Sequence, residues 1–328
     1  MPTHSFLPLI TQAIHAPSGH NTQPWRFSIQ GDTICIAPDL RRALPVVDSD
    51  NRELFISLGC AAENLVLAAS EQGYATQVHS DETTGNIRIQ LTRQDIPSNP
   101  LATQITRRQT NRSLYSAQRI PDDVIAQLQQ TPSEAGVQIF LYANGTPSYT
   151  QIGHHILQAN ALQMKNPAFK QELKTWLRYN KKHQDSTRDG LSYATFGAPN
   201  VPRWLAEIAM SFAMREAPQH KSCQQQINHA SHFALFTLEQ NSIPHWINLG
   251  RTLQRFLLAA TAQNIAHSYL NQPCEERQIA ENMAQALSLN TLPVILLRLG
   301  YAAPRPYSLR RKLADVIDGE IEHPFQVT

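Results

Sequence analysis

The sequence predicts an α+β fold, because stretches of alternating polarity and long stretches with helical apolar spacing follow one another along the chain. WRFSIQGDTICIAPD alternates apolar and polar residues on both sides of Gly31-Asp32, a pattern typical of a β-hairpin. SLGCAAENLVLAASEQG and NLGRTLQRFLLAATAQN carry Leu and Ala at helical spacing. These two stretches predict two long, buried helices.

The first hundred residues carry the signals of one unit. Residues 5–15 predict a short helix that ends before Pro17, and the hairpin follows it. Asp50 and Glu53 have the spacing of a capping box ahead of the first long helix, which we expect to stop at Gly73. NIRIQLTRQ predicts a further strand.

A second unit begins near residue 101. LATQITRRQTNRSLYSAQRIPDDVIAQLQ predicts two helices separated by a basic turn, and LADVID predicts a short helix near the end of the chain. VQIFLYA, HFALFTLEQ and PVILLRLGY predict strands. Residues 150–230 combine helical pieces with a long loop, and long loops in compact proteins are often functional. We expect this segment to form a lid or a wall of a substrate pocket.

The two long helices resemble each other beyond their composition. They align without a gap at an interval of 191 residues, and the identical pairs include Leu58/Leu249 and Gly59/Gly250. Glycine costs about 1 kcal/mol inside a helix, so a glycine retained in both indicates close packing. We expect the helices to cross at these glycines around a pseudo-twofold axis, so that the chain is an internal duplicate that mimics a homodimer.

Composition restricts the classes of function. The formal net charge is +2 and the basic residues are scattered, which argues against nucleic-acid binding. No apolar run approaches the roughly 18 residues of a membrane span, and the N-terminus lacks the pattern of a signal peptide. The four cysteines form no CxxC pair, as expected of reduced thiols. We therefore predict a cytoplasmic protein that binds neither nucleic acid nor membrane.

Three polar clusters are candidates for a binding site. They are PSGHNTQPW at residues 17–25, RRQTNR at 107–112 and SLRRK at 308–312. Arginine binds phosphate in a bidentate fork and Thr110 adds a short donor, so the two basic clusters together predict a phosphate site. Each basic cluster taken alone is better explained as a solvated turn.

Together these clusters resemble the motifs of the nitroreductase family. PSGHNTQPWRF resembles its P-S-x-x-N-x-Q-P-W motif, RQTNR its R-x-[ST]-x-R element, and RLGYAAPRPYSLRRKLADVI its C-terminal segment. The order of the first two motifs is reversed, which is similar to the fused, Acg-like branch of the family. The resemblance implies a nitroreductase-like fold made of two fused repeats, residues 1–100 and 101–328, the second with a lid insertion at about 150–230.

The resemblance also implies the cofactor and its contacts. In the homodimeric family members FMN lies between two subunits, so a fused chain would keep one complete site and one degenerate site. The implied FMN contacts are Ser18, His20, Asn21 and Gln23 from the first repeat, and Arg108, Thr110, Arg112, Leu270, Asn271, Gln272, Arg310 and Arg311 from the second. The motif leaves open which of Arg310 and Arg311 meets the phosphate.

The implied activity is transfer of hydride from NAD(P)H through FMN to a small-molecule acceptor such as a nitro compound or quinone. The flavin carries that chemistry, so no catalytic side chain is predicted. The chain would be a monomer containing a pseudo-dimer, with further dimerisation left open. Two alternatives remain: a flavin-binding or flavin-sequestering protein with little turnover, if residues 150–230 cover the flavin, and an interaction protein that keeps only the scaffold.

Two further sets of residues are expected to be structural. Trp25 and Phe27 have the spacing of core positions on the first strand. His220, Cys223, His229 and His232 are close in sequence but lack the compact paired spacing of a zinc site, so no metal is predicted.

Overall fold

Two four-stranded antiparallel sheets form the framework of the chain, in a computed structural model that describes residues 6–318. The strands of the first sheet are β1 (Trp25–Gln30), β2 (Thr33–Pro38), β3 (Tyr74–Ser80) and β4 (Ile87–Arg93). A second sheet contains β5 (Val137–Ala143), β8 (His232–Leu238), β9 (Ala266–Tyr269) and β10 (Leu292–Gly300). Two short strands, β6 (Leu177–Arg178) and β7 (Leu191–Ser192), pair in parallel.

The helices that accompany these sheets fall into three groups by position in the chain. Along the chain, α1 (Leu7–Ala13) precedes β1, α2 (Arg52–Glu71) connects β2 to β3, and α3 (Asp122–Gln129) precedes β5. Between β5 and β8 lie α4 (Pro147–Lys165), α5 (Pro167–Trp176), α6 (Lys181–Thr187), α7 (Arg203–Ala213) and α8 (Glu216–His229). The last group is α9 (Ile243–Ala262), α10 (Gln272–Glu275) and α11 (Arg277–Ala286).

Both sheets have the same topology. Their strand orders are β1-β2-β4-β3 and β5-β8-β10-β9. In each sheet the strands therefore lie side by side in the order first, second, fourth and third, counted along the chain. In each, a long helix, α2 or α9, connects the second strand to the third. The predicted α+β class is confirmed. The division into repeats at 1–100 and 101–328 stays a prediction that this shared topology supports, and the predicted insertion corresponds to the helices between β5 and β8.

The two long helices cross at the predicted glycines. A Cβ atom on Gly59 would lie 2.2 Å from the carbonyl oxygen of Ile247, and one on Gly250 would lie 2.0 Å from that of Ile56. The two contacts are reciprocal, because Ile56 and Ile247 are separated by the same interval as the glycines. The helix backbones therefore touch, and no side chain fits between them.

The hydrophobic core surrounds this helix pair and both sheets. Trp25 and Phe27 are fully buried, so their predicted core role is confirmed. By length and composition α2 could cross a membrane, but 83% of its most apolar window is buried within the part of the chain that the structure describes. It is therefore the central helix of the fold.

Some local predictions were wrong. The capping box is absent: the carboxylate of Asp48, not that of Asp50, accepts from the backbone N–H groups of Glu53 and Leu54 at 2.9 Å each. Residues 100–104 and 313–315 form 3₁₀ turns rather than α-helices. The strands β3 and β9 were not predicted, because β3 is a polar edge strand and β9 has only four residues.

Substituting Gly59 by Ala tests the close helix crossing. We expect Gly59→Ala to lower the free energy of unfolding by about 2 kcal/mol or more, because the added methyl group forces the backbones apart. Urea unfolding measures this. The control is Gly153→Ala in α4, where the new Cβ meets only the side chain of Ile227 at 3.3 Å. A Gly59→Ala protein as stable as the control would contradict the prediction.

Candidate functional site

The three predicted polar clusters meet at one cavity of about 600 Å³. The cavity lies between the first loop (residues 14–24, which connect α1 to β1), the N-terminal half of α2, the segment before α3, and the residues after β9 and β10. Nine of the twelve predicted contact residues line it: Ser18, His20, Asn21, Arg108, Thr110, Arg112, Asn271, Gln272 and Arg310. Residues more than 280 positions apart in the sequence are thus brought to one surface.

The first loop has an unusual backbone. His20, Asn21 and Gln23 have φ values of 48°, 55° and 54°, the left-handed region that non-glycine residues rarely adopt. The Ser18 hydroxyl accepts from the backbone N–H of Gln23 at 2.9 Å and helps to hold this turn. Backbone strain of this kind clusters at functional sites, where the surrounding structure maintains it.

The amide side chains of the loop connect two distant segments. Asn21 Nδ2 donates to the carbonyl oxygens of Gly190 at 3.1 Å and Leu309 at 3.2 Å. Gln23 is fully buried: its Nε2 donates to the carbonyl of Arg188 at 2.9 Å, and its Oε1 accepts from the N–H of Arg311 at 2.7 Å. Gln23 is therefore set back from the cavity, and both side chains hold the cavity wall together.

Three arginines at the cavity lack acidic partners. Burial lowers the pKa of each guanidinium, that of Arg108, Arg112 and Arg310, and no carboxylate in the part of the chain that the structure describes raises any of them. Arg108 Nη2 donates to the carbonyl oxygen of His15 at 2.8 Å, and Arg310 Nε donates to that of Ile14 at 2.9 Å. These carbonyls, and for Arg310 also the amide oxygen of Asn21 at 3.2 Å, orient Arg108 and Arg310 without compensating their charge.

Two histidines beside the arginines are neutral at pH 7. Burial and the charges of Arg310 and Arg108 lower the pKa of His15 to about 4. Burial and the charge of Arg112 lower the pKa of His20 to about 4 as well. The histidines therefore add hydrogen-bonding groups without adding to the positive charge of the cavity.

The structure places the two C-terminal arginines differently. Arg310 lines the cavity beside Arg108. Arg311 points away from it: its Nη1 donates to the carbonyl oxygen of Gln23 at 3.2 Å and lies 3.9 Å from Oδ2 of Asp39. Arg311 thus has a carboxylate nearby, and Arg310 does not.

After β9, Leu270 and its neighbours have separate roles. Leu270 is buried in a hydrophobic cluster with Ile156 and Phe233, away from the cavity. Asn271 faces the cavity, where its Nδ2 donates to Oε1 of Glu53 at 2.6 Å and its Oδ1 accepts from the N–H of Leu296 at 2.9 Å. Gln272 also lines the cavity.

A pair of acidic residues at the cavity was missed by the sequence reasoning. Burial and the neighbouring carboxylate of Glu275 raise the pKa of Glu53, and burial raises that of Glu275. Gln163 Nε2 donates to Oε2 of Glu275 at 2.6 Å. The two glutamates are more than two hundred residues apart, and no local motif in the sequence connects them.

Residues 150–230 supply the apolar wall of the cavity. The residues of this segment that line it are Gln163, Phe169, Leu173, Leu177, Leu191, Thr195, Phe196, Met210, Met214 and Gln219. Phe196 contacts the basic wall directly, since the guanidinium carbon of Arg112 lies 5.2 Å from its ring centroid. Among residues 6–318 there is no group of three or more His, Cys, Asp or Glu side chains that could hold a metal ion.

Two relatives match the chain over most of its length. Both are proteins of Mycobacterium tuberculosis, from strains CDC 1551 / Oshkosh and ATCC 25618 / H37Rv, and both bear the name "Putative NAD(P)H nitroreductase". Each is 26% identical over 326 residues, which cover 94% of this chain and 90% of the relative. The predicted resemblance to nitroreductases is confirmed.

Solved structures of the same class are more distant in sequence. The FMN-dependent nitroreductase NfnB of Mycobacterium smegmatis, in complex with NADPH, is 14% identical and covers 66% of this chain and 96% of its own, with a TM-score of 0.42. A nitroreductase with bound FMN from Bacteroides fragilis is 15% identical and covers 63% of this chain and 90% of its own, with a TM-score of 0.37. No model of a known protein family matches the chain.

The glutamate pair predicts a pH dependence of stability. Folding raises the pKa of the Glu53 carboxyl group, so the folded state keeps a proton that the unfolded state loses above the ordinary pKa. The free energy of unfolding therefore falls as pH rises through this range. Between pH 5 and pH 8, we expect Glu53→Gln to lose less free energy of unfolding than the unmodified protein, by about 1 kcal/mol or more. Urea titrations at both pH values measure the difference.

Exposed Glu82 provides the matched control. Glu82→Gln should retain the full pH dependence of the unmodified protein. If Glu53→Gln and Glu82→Gln lose the same free energy between the two pH values, the shifted titration of Glu53 is refuted.

Proposed function

We propose that the chain is an FMN-dependent oxidoreductase that passes hydride from NAD(P)H to a nitro compound, a quinone or a similar small acceptor. The observation that carries this proposal is the set of Arg108, Arg112 and Arg310, which face one cavity without carboxylate partners in the described structure. An unpaired buried cation is costly, so such a set is expected where an anion binds.

The groups at the cavity fit the phosphate of FMN. The Nε atom of Arg108 is buried and has no hydrogen-bond partner within residues 6–318, so a donor remains available for a phosphate oxygen. The volume of about 600 Å³ is within the range of cofactor sites, roughly 300–1,000 Å³. In this proposal Arg108 and Arg310 hold the phosphate, with Thr110 and Arg112 beside them.

The other residues of the cavity orient the cofactor and exclude water. FMN supplies the hydride chemistry when it is bound. Ser18, His20 and Asn21 form a polar wall, and Phe196 and Leu177 form an apolar wall against which a planar ring can lie. The names of the two M. tuberculosis relatives support NAD(P)H as the reductant.

We also propose one flavin site per chain. Arg251 occupies the position equivalent to Cys60, a cavity residue, at the interval that relates the two long helices. There Arg251 Nε lies 3.0 Å from Glu63 Oε2, and its Nη1 lies 3.0 Å from Glu134 Oε1. Arg251 is thus already neutralised by carboxylates and is not available to an anion. We therefore expect one FMN per chain, measured from the absorbance of the purified protein.

Replacing Arg108 tests the cofactor site. Charged hydrogen bonds contribute about 1.5–3 kcal/mol, so we expect Arg108→Ala to weaken FMN binding at least tenfold in fluorescence titrations. Arg107→Ala is the control, because exposed Arg107 directs its side chain to Gln104. Equal FMN affinity in the two variants would reject the assignment of the phosphate site.

A second candidate function is flavin binding with little turnover. It is favoured by the contacts that hold residues 188–190 in place. Asn21 and Gln23 bind them to the first loop, and Asp189 forms an ion pair with Arg42, which follows β2. Anaerobic addition of NADPH, followed by menadione, separates the two candidates. Bleaching and rapid return of the flavin absorbance support the oxidoreductase; a flavin that stays oxidised supports the second candidate.

A further inference from the structure

A second cavity, of about 390 Å³, lies against the first within residues 177–213. The two cavities share Leu177, Leu191, Phe196 and Met210 as lining residues. These side chains form the apolar wall of the proposed flavin site on one side and the wall of the second cavity on the other. A molecule bound in the larger cavity therefore has an apolar space next to it.

Helix α7 lines the second cavity with three alanines, Ala206, Ala209 and Ala213, together with Leu205 and Met210. The larger side chains of its outer row are 64%, 62% and 58% exposed: Trp204, Ile208 and Phe212. Protein interiors are normally packed without large voids. An apolar space of this size bounded by alanines is suited to receiving an apolar group from outside the chain.

The polar groups at the second cavity are occupied elsewhere. Arg178 Nη2 lies 2.7 Å from Oδ1 of Asp189, and Arg178 Nη1 donates to the carbonyl oxygens of Thr175 and Leu177. Tyr179 stacks on His183 with ring centroids 6.0 Å apart. The remaining lining is aliphatic or aromatic carbon, apart from Tyr193. The chemistry of the cavity therefore selects against charged or strongly polar ligands.

We infer that this second cavity binds the hydrocarbon tail of the electron acceptor, and that the acceptor is an amphiphilic quinone with an alkyl or isoprenoid substituent. The inference rests on the proposed function, because the quinone ring would be reduced in the larger cavity. There the quinone gains two electrons and two protons: hydride from NAD(P)H supplies both electrons and one proton, and water supplies the other.

Two matched acceptors test this inference with the full-length, FMN-loaded protein. They are 2,3-dimethyl-1,4-naphthoquinone and 2-methyl-3-octyl-1,4-naphthoquinone, which differ only in the length of one substituent. We expect kcat/KM to be at least tenfold higher for the octyl compound. Without NAD(P)H, isothermal titration should give at least tenfold tighter binding of the octyl compound, which is a readout that does not depend on turnover.

Variants of α7 locate the tail. Ala206→Phe fills the second cavity. It should reduce the advantage of the octyl compound over the dimethyl compound to within twofold, both in kcat/KM and in binding affinity. FMN content and kcat/KM for the dimethyl compound should be unchanged. Ala213→Leu adds a smaller side chain to the same cavity and should also lower the advantage of the octyl compound. It provides the test if Ala206→Phe does not fold. Ile208→Ser, in the exposed row of α7, is the control and should keep the full preference.

Three results would overturn the inference: no preference in the unmodified protein, a preference that survives both filling variants, or a preference that only Ile208→Ser removes. The last result would place the tail on the outer surface of α7. Failure of the proposed function is distinguishable, because a chain that does not bind FMN or reduce the dimethyl compound can still be titrated with the octyl compound.

Discussion

The fold is arranged around the direct contact of α2 and α9 at Gly59 and Gly250. With no side chain between the backbones, each carbonyl of the pair Ile56 and Ile247 faces the glycine of the other helix. The N-terminal half of α2 contacts the segment after β9, where Glu53 accepts from Asn271 and Arg52 donates to the carbonyl oxygen of Cys274. The cavity lies where those two elements meet.

Charge is distributed unequally around this pseudo-symmetric centre. On one side, Glu63 is buried and pairs with Arg251 and Arg255, so that the cations there are compensated within the fold. On the other side, Arg108 donates to a backbone carbonyl, and Arg310 donates to backbone carbonyls and to the amide oxygen of Asn21. Neither has a carboxylate partner in the part of the chain that the structure describes. Because an unpaired buried cation costs several kcal/mol, only the second arrangement has a physical reason to bind an anion. The proposed duplication of the fold therefore need not duplicate the site.

The segment between β5 and β8 decides what reaches the proposed flavin. Asn21 and Gln23 connect it to the first loop, and Asp189 pairs with both Arg42 and Arg178. The same segment supplies the apolar walls of two adjoining cavities. In the proposed function, access and acceptor selection thus depend on residues outside the two four-stranded sheets.

Periodic and local features could be predicted from the amino-acid sequence alone. The long helices, the hairpin, the core positions of Trp25 and Phe27 and the three polar clusters could all be predicted, because each depends on spacing within about twenty residues. The meeting of Glu53 with Glu275, the separate roles of Arg310 and Arg311, and the burial of Gln23 could not. These were decided only by the tertiary structure, because they depend on contacts between side chains from distant parts of the chain, for which local spacing carries no signal.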